Sequence, residues 1–358
     1  MALSSDPMQI NAVFPAVESG EALPMTAAKL AVIITCYNYQ AYVIEAINSV
    51  LSQEFRDCEL VVIDDGSTDN SWEAIQTTGA RAFQIANGGQ LAACVYGLER
   101  TTAPFVLFLD ADDALVPGSL QTIVSHLDDT VAKLQFPMYR IDGDGNRLGE
   151  AGWMFGASRR RDELMAEVLE TGVYKTPPTS GNVFRRDLCD VLKGVDYDRA
   201  VDGVILFAAP FFGDVVSLAE PHGLYRIHGL NDSGLGRPLD PVSLHRDLQR
   251  FSDRQDHLRR LLNDRGYPGL VSNRSTYFYH ERYFCLIVAE NQPVMGSFVR
   301  ALITCVWRSR FSMRNKIAST VFFCLSAIMP NRQARRALAY RLNPRDRSLL
   351  GFFRTLIE

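Results

Sequence analysis

The first half of the chain alternates short apolar runs with amphipathic stretches, and this pattern restricts the fold more than any other feature of the sequence. Residues 41–53 and 91–100 carry apolar side chains at helical spacing. Four apolar runs before, between and after them have the length and residue types of buried strands: LAVIITC (30–36), CELVVID (58–64), AFQIA (82–86) and PFVLFLD (104–110). Strands that alternate with helices form a mostly parallel sheet covered by helices, so we predict an α/β fold.

Each of these runs ends in polar residues. In open α/β sheets, ligands bind in the crevice outside the carboxyl ends of the strands. We therefore expect the polar residues that follow the strands to converge on one site: Thr35, Tyr37, Asn38, Asp64, Asp65, Asp110, Asp112 and Asp113.

The sequence LDADDAL places three carboxylates within four residues at the end of an apolar run. Such carboxylates repel one another at neutral pH unless a cation or strong donors neutralise them. Oxygen ligands of this type suit a hard divalent cation, which can hold a pyrophosphate and stabilise charge on a departing phosphate. The alternative is a solvated turn in which Asp112 and Asp113 cap the following helix.

Three further loops supply groups that can bind a nucleotide. In VVIDDGSTDNS a carboxylate can accept a hydrogen bond from a base or a ribose hydroxyl, although Ser67 and Asp69 can equally cap a helix. Tyr37 can stack on a base, or simply pack within its loop. The glycines of ANGGQ allow a close backbone approach at a helix start, but neither a GxGxxG nor a P-loop motif is present.

The joint pattern is more specific than its parts. TCYNY, IDDGSTDNS, NGGQ and LDADD occur in this order, and TSGNVFRRD (179–187), Ala200-Val201-Asp202 and YRIHGLNDS (225–233) follow. Together they resemble family 2 inverting glycosyltransferases of the GT-A fold, over about residues 31–233. The resemblance implies a nucleoside diphosphate sugar donor, with UDP as the default, a divalent Mn²⁺ or Mg²⁺, and a glycan or lipid-linked glycan acceptor in bacterial cell-surface or exopolysaccharide assembly.

The resemblance also assigns roles to residues. Asp202 is the candidate base that deprotonates the acceptor hydroxyl, and Asp214 is its neighbouring alternative. His228 completes a metal site with Asp112 and Asp113. Without the other motifs, Asp202 would be interpreted as a helix cap and His228 as a strand-end histidine. The nucleotide contacts implied are Thr35, Tyr37, Asn38, Asp65, Gly89, Gln90, Asp110 and Asp112, and the acceptor contacts are Ser180, Gly181 and Asn182.

Two other classes of protein remain open at this stage. DADDA matches the first half of the DxDx[TV] motif of haloacid-dehalogenase-like phosphohydrolases, which would make Asp110 a nucleophile, but Ala114 occupies the position of Thr or Val. A noncatalytic sugar-nucleotide-binding protein on the same fold is the second alternative.

Charge divides the chain unevenly. Residues 297–358 contain 12 Lys and Arg against 2 acidic residues, whereas residues 1–296 contain 25 basic and 39 acidic residues. The net charge of -4 argues against nucleic-acid binding. The basic region also contains a 13-residue apolar run, 317–329, too short to span a bilayer. We expect it either to lie on an anionic membrane surface or to pack as ordinary helices.

The predicted organisation has three parts. Residues 1–27 form a flexible tail without the pattern of a secretory signal, residues 28–238 form the GT-A domain, and residues 239–358 form a helical C-terminal region that is basic from 297. Seven scattered cysteines without a CxxC pair favour a cytoplasmic location, with peripheral attachment to the inner face of the membrane as a further expectation.

Overall fold

The LAVIITC run forms a fully buried strand, β1 (Leu30–Cys36), around which the first part of the fold is built. The computed structural model describes residues 28–55, 57–228 and 239–342. The predicted N-terminal tail, residues 229–238 of the predicted GT-A domain and the last sixteen residues of the basic region lie outside these ranges.

The described chain divides into two compact units. The first contains residues up to Met165 together with the segment from Lys175 to His228, and the second contains Ala166–Tyr174 and residues 239–342. The strands are β1, β2 (Cys58–Asp64), β3 (Ala82–Gln84), β4 (Phe105–Asp110), β5 (Ala114–Leu115), β6 (Val131–Gln135), β7 (Met138–Ile141), β8 (Ser158–Arg160), β9 (Asn182–Arg185), β10 (Asp214–Ser217) and β11 (Gly223–Arg226).

These strands build two sheets. The larger has eight strands in the order β3-β2-β1-β4-β9-β6-β10-β8, and the smaller has the order β5-β11-β7. In the larger sheet β9 and β8 run opposite to the other six strands. The predicted α/β fold with a mostly parallel sheet is confirmed.

Helices cover the sheet and form the second unit. In the first part of the chain they are α1 (Val43–Leu51), α2 (Ser71–Thr77), α3 (Gln90–Leu98), α4 (Ser119–Ser125), α5 (Asp162–Thr171) and α6 (Val204–Ala208). The second unit contains α7 (Pro241–Asp264), α8 (Tyr277–Ala289), α9 (Gly296–Arg308), α10 (Met313–Ile328) and α11 (Asn331–Leu342). Four short 3-10 helices complete the described elements: Thr179–Gly181, Arg186–Gly194, Ala209–Phe211 and Asn273–Ser275.

Close packing fixes α3 on β1. A Cβ atom placed on Gly97 would lie 2.4 Å from Cγ2 of Ile33, so the helix backbone touches the strand's side chains directly. The sequence pattern did not reveal β6 and β9, because polar side chains interrupt their apolar runs. Lys133, Gln135 and Asn182 are fully buried in these central strands.

The second unit has its own core. Leucines and aromatic residues from α7 to α11, among them Leu248, Phe284, Leu302, Phe323 and Leu338, pack together. No helix within the described ranges is long and apolar enough to cross a bilayer. All seven cysteines are free thiols, and Cys324 is exposed.

Candidate active site

Three carboxylates meet where β4 ends. Ligand oxygens of Asp110, Asp112 and Asp113 all lie within 4.8 Å of one another. Asp112 and Asp113 are buried. Oδ1 of Asp113 accepts a hydrogen bond from the N–H of Arg226 at 2.9 Å, whereas its buried Oδ2 accepts no hydrogen bond from the described residues.

The environment of this cluster disfavours negative charge. Burial and the neighbouring charge of Asp112 raise the pKa of Asp113 well above its usual range. Burial, Asp112 and then Asp202 raise the pKa of Asp110 in the same direction. Carboxylates that repel one another are the donor set that a hard divalent cation neutralises, and one of their oxygens lacks a donor among the described residues. The residues present therefore fit the predicted metal.

His228 and two tyrosines lie beside the cluster. Nε2 of His228 is 2.9 Å from Oδ2 of Asp112. The His228 ring stacks on Tyr42 with ring centres 5.4 Å apart and meets Tyr39 edge-on at 5.7 Å. The pKa of Tyr39 is raised by burial and then by the charge of Asp112. The structure therefore places His228 against Asp112, and its predicted role as a metal ligand stays a prediction.

Arg226 is a central residue that the sequence analysis missed. Its side chain is almost fully buried and donates from Nε to the Asp112 carbonyl at 2.9 Å and from its guanidinium to Glu45 at 2.5 Å. The guanidinium also lies 4.7 Å from the Tyr42 ring centre. Arg226 thus fixes the loop after β4 against α1. The sequence did contain a sign of this role, because an arginine within the apolar run LYRI needs buried hydrogen-bonding partners.

The carboxylate of Asp65 accepts hydrogen bonds from the backbone of the glycine turn, Gly88 and Gly89. Its Oδ1 accepts from the N–H of Gly88 at 2.7 Å and its Oδ2 accepts from the N–H of Gly89 at 2.8 Å. Gly89 has φ of +92°, and a Cβ there would meet Arg199 at 2.8 Å, so the turn requires glycine. The predicted nucleotide contact at Asp65 stays a prediction, but the carboxylate already holds this turn.

The loop after β1 is joined to the loop after β2. Asn38 has φ of +59°, and its Oδ1 accepts from the N–H of Thr68 at 2.8 Å. Thr35 is buried, and its carbonyl accepts from the N–H of Ala111 at 3.2 Å. Tyr37, in contrast, is 45% exposed at the carboxyl edge of the sheet. Of the nucleotide contacts predicted in this loop, Tyr37 has an exposed aromatic ring that a base could stack on.

Gln90 connects the cluster to the candidate base. Its Nε2 donates to Asp110, and its Oε1 accepts from the N–H of Val201 at 3.1 Å. The next residue, Asp202, accepts from the Thr179 hydroxyl at 2.7 Å. The amide of Gln90 therefore holds the segment that bears Asp202 in place relative to Asp110.

The predicted acceptor loop lies next to this segment. The N–H of Asp110 donates to Oγ of Ser180 at 3.1 Å, and Ser180 is fully buried. Asn182 is also fully buried and donates to the Pro178 carbonyl at 2.6 Å. A Cβ on Gly181 would lie 2.7 Å from Pro177. These contacts give the three residues a structural role, and their contact with an acceptor stays a prediction.

Lys133 is a second residue that the sequence analysis missed. This fully buried lysine donates to Oε1 of Gln135 at 3.0 Å and to Oγ1 of Thr176 at 2.7 Å. Burial lowers its pKa well below the usual range, and the charge of Asp202 opposes that shift. Lysine and glutamine at alternate positions of VAKLQF share one strand face, a pattern that could have revealed an internal polar network.

The alternative base lies at the other edge of the sheet. Asp214 begins β10 and pairs with Val131 at the start of β6, whereas Asp110 ends β4. Because these strands run in the same direction, Asp214 is at the amino edge. There it forms an ion pair with Arg159 at 2.8 Å. The structure does not bring it to the carboxylate cluster.

Residues 31–191 match the family model described as Glycosyl transferase family 2. This segment includes the four motifs of the first half and the three aspartates, so the phosphohydrolase interpretation is set aside. With this match, the sheet described above confirms the predicted GT-A fold.

Individual proteins show the same similarity. An uncharacterized glycosyltransferase of Nostoc sp. is 37% identical over 216 residues, which are 57% of this chain and 66% of that protein. The GalNAc(5)-diNAcBac-PP-undecaprenol beta-1,3-glucosyltransferase of Campylobacter jejuni is 31% identical over 125 residues, 33% of this chain and 40% of that protein. The chain thus spans less than two thirds of either relative.

A solved structure is also similar. The crystal structure of residues 1–349 of S. aureus TarS in complex with UDP-GlcNAc has a TM-score of 0.49 and 18% identity. The match covers 87% of this chain and 91% of that one.

Proposed function

This chain belongs to glycosyl transferase family 2 through residues 31–191, and from that premise we propose that it transfers a sugar from a nucleoside diphosphate donor to a hydroxyl acceptor with inversion. One observation carries the proposal: Gln90 joins the aspartate cluster, which suits a cation and a diphosphate, to the segment of Asp202, which suits a base.

The donor side uses groups at the carboxyl edge. The exposed ring of Tyr37 is available to stack on the nucleotide base. Asp110, Asp112 and Asp113, with His228, would hold a divalent Mn²⁺ or Mg²⁺, whose charge offsets the charge that develops on the departing diphosphate. The buried Oδ2 of Asp113 supports this assignment because it has no donor among the described residues.

The acceptor side uses Asp202. The Thr179 hydroxyl donates to its Oδ1 and so orients the carboxylate. In the proposed step, Asp202 removes the proton from the acceptor hydroxyl as the oxygen bonds to the anomeric carbon, and the bond from that carbon to the diphosphate breaks on the opposite face. One displacement inverts the anomeric centre.

The substrate classes are part of the proposal. UDP is the default nucleotide. The C. jejuni relative is named for a polyprenyl diphosphate-linked glycan, which supports a lipid-linked glycan as the acceptor and a role in bacterial cell-surface polysaccharide assembly. Seven free thiols are consistent with a cytoplasmic site of action. A panel of nucleoside diphosphates with Mn²⁺, read by thermal shift, identifies the nucleotide.

The test compares two aspartates. Asp202→Asn should lower turnover by about 10²- to 10⁴-fold, the usual contribution of general base catalysis, while the affinity for the nucleoside diphosphate stays unchanged. Asp214→Asn is the matched control, because Asp214 lies at the opposite edge, and should keep turnover. Nucleotide release by the full chain, with Mn²⁺ and with chelator, measures the turnover of both variants. Calorimetry with the nucleoside diphosphate measures the affinity. Donor binding without transfer to any glycan acceptor would favour the noncatalytic alternative. Loss of turnover in Asp214→Asn, with turnover kept in Asp202→Asn, would identify Asp214 as the base instead.

A further inference from the structure

Helix α10 exposes an apolar stripe along its length. Met313, Ile317, Val321, Leu325 and Ile328 recur every three or four residues and therefore share one face of the helix. Each is at least 45% exposed, and Ile328 is 80% exposed. The other face carries Ser319, Phe323 and Ser326, which are buried. Large apolar side chains arranged continuously on a surface indicate an interaction site.

Helix α9 adds a groove that is both apolar and basic. A shallow groove of about 560 Å³ is lined by Val299, Ile303 and Trp307 together with Arg300 and Arg308. Trp307 is 45% exposed.

Two hydrogen bonds join this groove to α10. Nε1 of Trp307 donates to the Thr320 hydroxyl at 3.1 Å, and Nζ of Lys316 donates to the Trp307 carbonyl at 2.9 Å. The groove and the stripe are therefore neighbours, and we call them together the α9–α10 surface.

The charge of this region has one sign. Residues 297–342 contain nine Lys and Arg and no acidic residue. Arg310 approaches Glu170 at 3.7 Å and Arg341 pairs with Glu281 at 3.1 Å. Arg300, Arg308 and Arg314 are exposed beside the apolar positions. The α9–α10 surface therefore combines an apolar stripe with a cationic border.

We propose that the α9–α10 surface docks on an anionic lipid membrane. The stripe enters the boundary between headgroups and acyl chains, and Arg300, Arg308 and Arg314 contact headgroup phosphates. Trp307 suits this depth because its ring is amphipathic. A helix of sixteen residues is about 24 Å long, shorter than the hydrocarbon core of about 30 Å, so α10 lies along the membrane.

Charge complementarity selects lipid over other occupants. Symmetric pairing of two copies through this surface would bring the same arginines together, and like charges oppose such an interface. Residues 343–358, which the structure does not describe, contain Arg345, Arg347 and Arg354 against two acidic residues. They offer no excess of negative charge to match the border. An anionic bilayer matches both the apolar stripe and the cations.

Co-sedimentation of the full chain with vesicles tests the proposal. The protein should pellet with vesicles that contain phosphatidylglycerol but not with phosphatidylcholine alone, and high salt should release it. The combined change Ile317→Ser, Val321→Ser and Leu325→Ser should weaken binding at least tenfold. Arg308→Gln with Arg314→Gln should weaken it by roughly 25-fold, since each cation near an anionic surface contributes about fivefold.

Matched controls lie on the same unit but away from this surface. Val242 and Arg246 are exposed on α7, and Val242 is 77% exposed. Val242→Ser and Arg246→Gln should bind vesicles as the unmodified chain does. Asp202→Asn should also still bind, which separates this proposal from the proposed transfer activity. The proposal is wrong if the full chain ignores anionic vesicles, binds both kinds equally, or binds equally well after the stripe substitutions. It is also wrong if those substitutions dissociate a dimer and leave vesicle binding unchanged.

Discussion

Two acidic loops at neighbouring strand ends look alike in sequence and differ in structure. After β2, Asp64 and Asp65 receive hydrogen bonds on both carboxylates from Ser67, Gln84 and the glycine turn. After β4, the three carboxylates lie close together, and the buried Oδ2 of Asp113 has no hydrogen-bond donor within the described part of the chain. Adjacent aspartates thus stabilise a turn where hydrogen-bond donors surround them, whereas aspartates that lie against other carboxylates suit the cation site proposed above.

Of the two acidic loops, the loop after β4 should give the larger effect. Asp113→Asn should lower turnover by roughly 10³-fold, because a metal contributes several kcal/mol of charge stabilisation to group transfer. The fold should persist, since the amide replaces a carboxyl whose charged form is disfavoured by burial. Steady-state rates and a thermal unfolding curve measure the two effects. If the variant loses stability but keeps its rate, the loop after β4 stabilises the fold, as the loop after β2 does, and does not hold a catalytic metal.

The loop after β2 should respond in the opposite way. Asp65→Asn removes one charged acceptor from the amides of Gly88 and Gly89, which should lower the free energy of unfolding by about 2 kcal/mol. Urea unfolding measures this loss, and Asp144→Asn, at an exposed position, is the control. Unchanged stability in Asp65→Asn would mean that the glycine turn does not depend on this carboxylate.

The smallest effect is a dependence of stability on pH. Asp113 has a raised pKa in the folded chain and ionises near 3.8 in the unfolded chain, so the folded state binds more protons above that pH. The free energy of unfolding of the metal-free chain should therefore fall, relative to Asp113→Asn, as pH rises from about 4 towards the folded pKa. The slope is at most about 1.4 kcal/mol per pH unit. Urea titrations with chelator measure it, and parallel curves for the two proteins would contradict the raised pKa.

Sequence predicted well what depends on local pattern. Strands β1, β2 and β4 and the convergence of their polar ends follow from apolar runs and from the geometry of parallel sheets. Helix α7 lies in the region predicted to be helical, and it carries leucines at helical spacing. These features need little information beyond neighbouring residues.

Features that depend on distant partners could not be predicted in the same way. Strands β6 and β9 carry buried polar groups whose partners, such as Thr176 for Lys133, are far along the chain. Arg226 contacts Glu45, 181 residues away. The same limit explains Asp65, because the glycine amides that occupy its oxygens lie more than twenty residues further on. Local sequence identifies an acidic loop but not the donors that decide its role.

The close contact between Gly97 and Ile33 links the packing of the core to the position of Gln90 in the candidate site. Helix α3 begins at Gln90, the residue that spans Asp110 and Val201, and Gly97 lies two turns along the same helix. A larger residue at position 97 would push α3 away from β1, because its Cβ would lie 2.4 Å from Cγ2 of Ile33. We expect such a shift to move Gln90 and so to change the distance between Asp110 and Asp202, although the clash itself involves neither carboxylate.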